Sequence, residues 1–275
     1  MLHYPTRPKR VALLQTLGLE AVSLDTVRDD TGRRLVENLR SVAWNGIEAA
    51  FNVLEKIYPE PGFESRQRHP IRVTLLGAGA VGIQVVQAAA RYGNTARHRR
   101  LAKNYVPGVQ ATTLEYDSTC HVEIMRPILE ATDILVDATQ RPDPTRPVIP
   151  NSWIGWLPPH AVLLDLSVDP YDCSVTPPFV KGIEGIPQGD LDQYKFAPDD
   201  PVYEKMPICF DITHRRHAVS CYSWPGIYPN ACMEVYGKQI LPILRVILER
   251  GGLYNVRANG HYFERAISRA RLFHT

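Results

Sequence analysis

The apolar and polar positions of this 275-residue chain change their period along its length. VALLQTLGLEAVSLDTV, near the start, predicts a short helix and then a strand, with Gly18 at the break. GRRLVENLRSVAWNGIEAAFNVLEKIY follows with apolar residues at helical spacing: Leu35, Leu39, Val42, Ala43, Ile47, Ala50, Phe51 and Leu54. That spacing predicts one long amphipathic helix from Arg33 to Ile57. Pro59 and Pro61 end it in a linker. From Ile71 the pattern switches to strand, turn and helix, repeated. IRVTLLGAG, DILVDAT and AVLLDLSVD are unbroken apolar runs of strand length. Strands apolar on both faces and alternating with helices predict a parallel sheet covered on both sides. After Val175 comes a Pro-, Gly- and Asp-rich excursion of roughly 35 residues, a length that usually serves a site. ACMEVYGKQILPILRVILERGG predicts a helix closed by Gly251 and Gly252, and FERAISRARLF a short basic helix at the end.

Composition narrows this picture little. Hydrophobic residues at 44% and charged residues at 22% fit a globular protein with a real core. A net charge of +2 gives no argument for nucleic acid. No apolar run approaches the roughly 20 residues that span a bilayer. The opening MLHYPTRPKR lacks the apolar segment of a signal peptide, which places the protein in the cytoplasm. The five cysteines (Cys120, Cys173, Cys209, Cys221, Cys232) are odd in number and form no CxxC pair. They are expected to be unpaired thiols, with no zinc site and no other metal.

The chemistry enters at Gly77, Gly79 and Gly82, which spell GxGxxG between an apolar strand and an Ala/Val-rich helix. In that setting the glycines allow a tight turn, close approach of a pyrophosphate, and close helix–strand packing. The helix start at Ala80 and Val81 adds free N–H groups and a partial positive charge. The expectation is a dinucleotide site over Gly77, Ala78, Gly79, Ala80, Val81 and Gly82.

Beyond this turn the chain resembles the alanine dehydrogenase and pyridine nucleotide transhydrogenase family. DILVDATQRPDPTRPVIPNSWIGWLPPHAVLLDLSVD is similar to the family's strand, loop, helix and strand leading to its catalytic aspartate. SCYSWPGIYPNACMEVYGKQILPIL resembles its N-M-P-G-x-x-P segment and following helix. GLEAVSLDTVRDDTGRRLVENL resembles the end of its substrate domain, and LHY at 2–4 sits where the family has a catalytic histidine. The motifs occur in order from near residue 2 to about residue 250. The resemblance implies a Rossmann-like α/β fold: a doubly wound parallel sheet with flanking helices and a remnant of a second domain. The expected divisions are 1–58 (remnant and connecting helix), 59–231 (NAD(P)-binding domain) and 232–275 (C-terminal helices). Most of the family's N-terminal lobe, with the arginine and lysine that grip a substrate carboxylate, is expected to be absent.

On that resemblance His3 is the acid/base and Asp169, ending an apolar strand, orients the reacting centre. Frayed terminus and turn aspartate are the alternatives for these two. Asp137, Ala138 and Thr139 fall at the rim near the nicotinamide ribose, and Ser223 and Trp224 where the family has Asn and Met. Asp165, within the strand, is expected to be a satisfied buried carboxylate or a loop anchor. The family comparison aligns ATTLEYD with the third strand and puts the second in NTARHRR, which ends without a carboxylate. Arg97 and Arg99 there suit a 2′-phosphate, so the cofactor is NAD or NADP with NADP favoured. If that run is only solvated, Glu115 or Asp117 is left to read the ribose. THRRH at 213–217 is a second basic cluster whose Arg215 and Arg216 could meet a substrate carboxylate or the cofactor phosphates, or belong to the surface.

The resemblance implies an NAD(P)-dependent oxidoreductase that moves hydride between the cofactor and an amino acid/2-oxo acid pair. The alternative is a catalytically silent dinucleotide-binding protein or a subunit that needs a partner lobe. Small-molecule substrates are expected, with neither nucleic acid nor membrane as partner. The long helix's apolar stripe, short of its usual cover, predicts a homo-oligomer.

Overall fold

A computed structural model describes residues 8–273. In chain order these form α1 (Pro8–Thr16), α2 (Leu39–Ile57), β1 (Ile71–Leu76), α3 (Ala80–Ala89), α4 (Thr95–Lys103) and β2 (Val109–Leu114). Then follow α5 (Tyr116–Thr119), α6 (Val122–Glu130), β3 (Ile134–Asp137), α7 (Asn151–Ile154), β4 (Val162–Asp165) and β5 (Lys195–Phe196). The chain ends in β6 (His217–Ser220), α8 (Pro229–Glu249) and α9 (Tyr262–Arg269). Two compact units emerge: Leu39–Ile227, and Met1–Asn38 with Tyr228–Thr275. The long helix therefore belongs to the sheet unit, and it starts at Leu39, later than the apolar spacing predicts. Among the described residues no helix is long and apolar enough to cross a membrane.

In the larger unit six strands form one sheet in the order β2-β1-β3-β4-β6-β5, parallel except where β5 meets β6. Alternate residues of each central strand go to opposite faces. Val73, Leu75, Ile134, Val136, Val162, Leu164 and Val219 join one core with α2 and α3. Leu76, Leu135, Leu163 and Ala218 join a second core with α6 and α7. Both faces are dry, which explains the unbroken apolar runs. Gly46 lets α2 lie close on the sheet, since an added Cβ would come 2.4 Å from Leu166 Cδ2.

Several sequence expectations change here. ATTLEYD supplies β2, paired directly with β1, and NTARHRR is helix α4. The segment after Gly18 forms no strand; Val22 makes only an isolated bridge to Arg271. Cys173 and Cys209 are joined as a disulfide, with Cα atoms 6.5 Å apart, whereas Cys120, Cys221 and Cys232 are not disulfide-bonded. Both bonded cysteines lie in long loops, 36 residues apart, so no local spacing announces the pair. The apolar stripe of α2 (Ala43, Ile47, Ala50, Phe51, Leu54) is fully buried within the sheet unit. It therefore supplies no ground for an oligomer.

The smaller unit packs α8 and α9 around Val27, Val36, Ile243, Val246, Ala266 and Ile267. Within it the Gln239 amide binds the Glu37 backbone, accepting from its N–H and donating to its carbonyl. Arg265 and Arg269 both pair with Asp30.

Candidate functional site

The order of the strands creates a switch point. From β1 the chain moves outward to β2 and then returns to β3 on the other side of β1. A crevice at the carboxyl ends of β1 and β3 is where open sheets of this kind take ligands. The glycine turn lies there. Gly77 has φ +88°, and an added Cβ would sit 3.0 Å from the Ala138 carbonyl oxygen at the end of β3. At Gly82 an added Cβ would come within 2.3 Å of the Gly77 carbonyl oxygen. Gly79 is different: it caps α3 at φ −64°, and an added Cβ would meet nothing within 4 Å. Ala78, Gly79 and Ala80 are exposed, Val81 is half-buried, and no side chain caps the first turn of α3. The turn is thus backed by protein at Gly77 and Gly82 and open at Gly79, with free N–H groups facing the opening.

Leu114 pairs with Leu76, so β2 ends beside this turn. Its next residue, Glu115, accepts the Ala78 N–H at 2.8 Å through Oε1. The arginines expected to read a 2′-phosphate are elsewhere. Arg97 lies in α4, where its Nε donates to Glu55 at 3.1 Å, its NH1 to the Tyr92 carbonyl, and its NH2 to Asn52. Arg100 pairs with Glu55 and Glu64, and Arg99 projects from the same helix into solvent. α3 starts at the carboxyl edge and runs back for 10 residues, about 15 Å. α4 follows it, and its cap residue Asn104 is bonded to Arg66 in the linker that leads into β1. The basic run therefore belongs to the amino edge, and Arg97 and Arg99 are corrected to structural and solvent-facing roles.

Next to the turn, the carboxyl ends of β3 and β4 hold a buried polar cluster. Asp137 and Asp165 are in register on neighbouring strands and fully withdrawn from water. Lys181, also fully buried, places Nζ 2.6 Å from Asp165 Oδ2 and 2.8 Å from Gln188 Oε1. Ser220 donates to Asp165 Oδ2, and the Val168 N–H to Oδ1. Burial pushes Asp165 up, but the Lys181 charge and these hydrogen bonds outweigh it, and its carboxyl is held below the ordinary range. Among the described residues Asp137 has no cation of its own. Burial, then the Asp165 charge, raises it to about 6 despite hydrogen bonds from Thr139. The Ser167 hydroxyl lies 3.1 Å from Asp137 and 3.0 Å from Asp165, with one proton to give. A protonated Asp137 completes the chain, donating to Ser167 while Ser167 donates to Asp165.

The expectation that Asp137 meets a ribose changes accordingly. Its Oδ1 is taken by Thr139 (N–H at 3.0 Å, hydroxyl at 2.6 Å) and its Oδ2 faces Ser167 and Gly182. Ala138 and Thr139 remain at the rim, half-buried. Because the folded-state pKa of about 6 lies above the ordinary 3.8, this group favours folding most at low pH. That contribution is lost as pH rises through about 6. Asp137→Asn should therefore stabilise the protein above neutrality, by up to about 2–3 kcal/mol, and much less near pH 4. Thermal melts across that range check it; a shift independent of pH would contradict the assignment.

Asp169 lies beyond β4 with its side chain 34% exposed. Its Oδ2 accepts from Arg141 NH2 at 2.8 Å and Nε at 3.3 Å. Val168 before it is left-handed at φ +57°, an outlier for a β-branched residue and the kind of strain that gathers at functional turns. Trp224 does not face the crevice: its indole is buried, Nε1 donates to the Asp165 carbonyl at 2.9 Å, and its own carbonyl accepts from Asn45. Ser223 is half-buried, and its carbonyl accepts the Gly226 N–H. Arg215 and Arg216 precede β6 and so lie at the amino edge. Arg215 stacks over Tyr203, and Arg216 donates to the carbonyls of Leu157 and Pro158. His3 lies outside the described residues. Sequence reasoning missed Lys181 and Arg141 as parts of this region: Lys181 stands in no motif, and nothing within the segment 133–169 marks Arg141 out from its neighbours.

No protein-family model matches the chain, and a search of the curated proteins finds no match. Solved structures do match. An L-alanine dehydrogenase superposes with a TM-score of 0.66 at 16% identity, over 98% of this chain and 69% of that one. A transhydrogenase from Sinorhizobium meliloti superposes with a TM-score of 0.57 at 13% identity, over 97% of this chain and 70% of that one. At these identities the likeness is one of fold. It extends over nearly the whole chain and falls on the same family whose motifs the sequence resembles.

Proposed function

We propose that the chain is a nicotinamide dinucleotide-dependent oxidoreductase of the alanine dehydrogenase type, acting on an amino acid/2-oxo acid pair and preferring NAD to NADP. The observation that carries this reading is Glu115, set at the end of β2 and bonded to the Ala78 N–H of the glycine turn. A carboxylate there suits the two ribose hydroxyls of NAD and repels a 2′-phosphate. The open space over Gly79 and the uncapped first turn of α3 fit a pyrophosphate. The bound cofactor would supply the hydride chemistry; the chain's own work is to hold and orient it. Gly77 through Gly82 would cradle the phosphates, and Glu115 the adenine ribose. Asp169, at the carboxyl edge beyond β4, would face the nicotinamide half. The Asp137–Asp165–Lys181 cluster forms a dry floor that fixes the strand ends beneath it.

NADH should bind roughly tenfold to a hundredfold more tightly than NADPH, the value of one charge-assisted contact. Glu115→Ala should erase the difference chiefly by weakening NADH. Paired fluorescence titrations of both cofactors test this, and a preference for NADPH would sink the assignment of Glu115. Assays of 2-oxo acids with ammonium and NADH, followed by nicotinamide absorbance, test the reaction. Tight NADH binding without turnover across such substrates would favour the silent binding protein.

A further inference from the structure

We propose that Arg141 is a positioning residue that fixes the carboxylate of Asp169 toward the nicotinamide half of the crevice; this rests on the dinucleotide reading above. β3 and β4 are neighbours with Asp137 and Asp165 in register, and Arg141 and Asp169 each follow their strand's last residue by four positions. Two loops that leave the sheet side by side are thus joined at corresponding points. The guanidinium is no loose surface group. Its side chain is only 3% exposed, while that of Asp169 is 34% exposed. NH1 donates to the Arg146 carbonyl at 2.7 Å, and NH2 donates to the Val180 carbonyl as well as to Asp169.

These partners make Arg141 a fixed post. Nε and NH2 both reach Asp169 Oδ2, at 3.3 and 2.8 Å, and Oδ1 stays outside the clamp. A planar fork held by two backbone carbonyls imposes an orientation that a flexible ammonium would not. The far side of the same turn is fixed by Asp165, whose Oδ1 takes the Val168 N–H while Val168 sits left-handed. Val180, bonded to Arg141, directly precedes Lys181, which holds Asp165. The strained turn is therefore held at both ends, Arg141 binding Asp169 and Lys181 binding Asp165, and the two cations are linked through the adjacent residues Val180 and Lys181. Such strain persists only where the surroundings over-determine it, and the residue it delivers is Asp169.

The test compares two probes on the full chain: NADH, and ADP-ribose, which lacks the nicotinamide ring. The wild-type protein should bind NADH more tightly than ADP-ribose. Asp169→Asn and Arg141→Met should each narrow that ratio by roughly tenfold, as loss of one oriented charge does, and leave ADP-ribose affinity unchanged. The double variant should be no worse than either single one, because both remove the same contact. Arg141→Lys should recover part of the ratio. Additive losses, or an Arg141→Met variant that weakens both probes alike, would show that Arg141 supports the fold and does not position Asp169. If Arg141→Met fails to fold, Asp169→Asn decides: a wild-type ratio there overturns the proposal. A wild-type protein that binds both probes equally overturns it too while leaving the dinucleotide site standing. A protein that binds neither overturns the dinucleotide reading and this inference with it.

Discussion

Replacing Lys181 by Met should lower the unfolding free energy by about 3–5 kcal/mol, the cost of breaking a buried ion pair from one side. Lys181 and Asp165 are each about 1% exposed and 2.6 Å apart. Methionine fills much the same volume, so the loss comes from charge and not from a cavity. Without the ammonium, Asp165 is a buried anion next to Asp137, with only Ser220, Ser167 and the Val168 N–H to satisfy it. Its folded-state pKa must then rise above the unfolded value, so the added loss grows as pH increases and shrinks as the carboxyl protonates in acid. The pair Lys181→Met/Asp165→Asn should recover much of the loss, because removing both charges leaves no unpaired ion. Urea denaturation at pH values below and above neutrality reads all three proteins. A loss under about 1 kcal/mol for Lys181→Met, within the range of ordinary surface substitutions, would mean the pair is hydrated in solution.

This cluster also marks the limit of what the chain's pattern discloses. Asp165 is legible as a buried carboxylate because it lies inside the apolar run AVLLDLSVD. Lys181 is not: a single lysine in a Pro- and Gly-rich loop looks like any solvated lysine, and only the returning path of residues 166–216 carries it to Asp165. β1, its glycine turn and α3 were readable because strand, GxGxxG and helix are contiguous and each imposes its own period. β2 was misplaced because an extra helix, α4, intervenes between α3 and the second strand. One local signal was available. Asn94 precedes TARHRR as a helix cap, and its Oδ1 accepts from the N–H groups of Ala96 and Arg97. As a helix cap, Asn94 marks TARHRR as helix and leaves ATTLEYD as the second strand, with Glu115 at its end. Trp224 shows a different limit. Motif order placed it beside the crevice, but order along the chain says nothing about which way an indole points, and its N–H was claimed by the Asp165 carbonyl.

Gly79→Asp should abolish dinucleotide binding while leaving the fold as stable as before or slightly more so. The two effects have separate causes. Gly79 is the N-cap of α3 with φ −64°, a conformation open to any residue, and an added Cβ meets nothing within 4 Å. No side chain now caps that helix. An aspartate there can accept the N–H groups of Val81 and Gly82 and is worth up to about 1 kcal/mol to the helix. Those same N–H groups are the ones a pyrophosphate would use, and the new carboxylate would stand in its path with like charge. Affinity for NADH should fall by at least about a hundredfold, or roughly 2.7 kcal/mol. The neighbouring Gly82→Ala serves as the contrast: its Cβ would press within 2.3 Å of the Gly77 carbonyl oxygen, so binding and stability should fall together. Calorimetric titration with NADH and thermal melts on the three proteins separate the outcomes. If Gly79→Asp melts at or above the wild-type temperature and still binds NADH at full strength, the phosphates do not pass over Gly79, and the crevice between β1 and β3 is not the dinucleotide site.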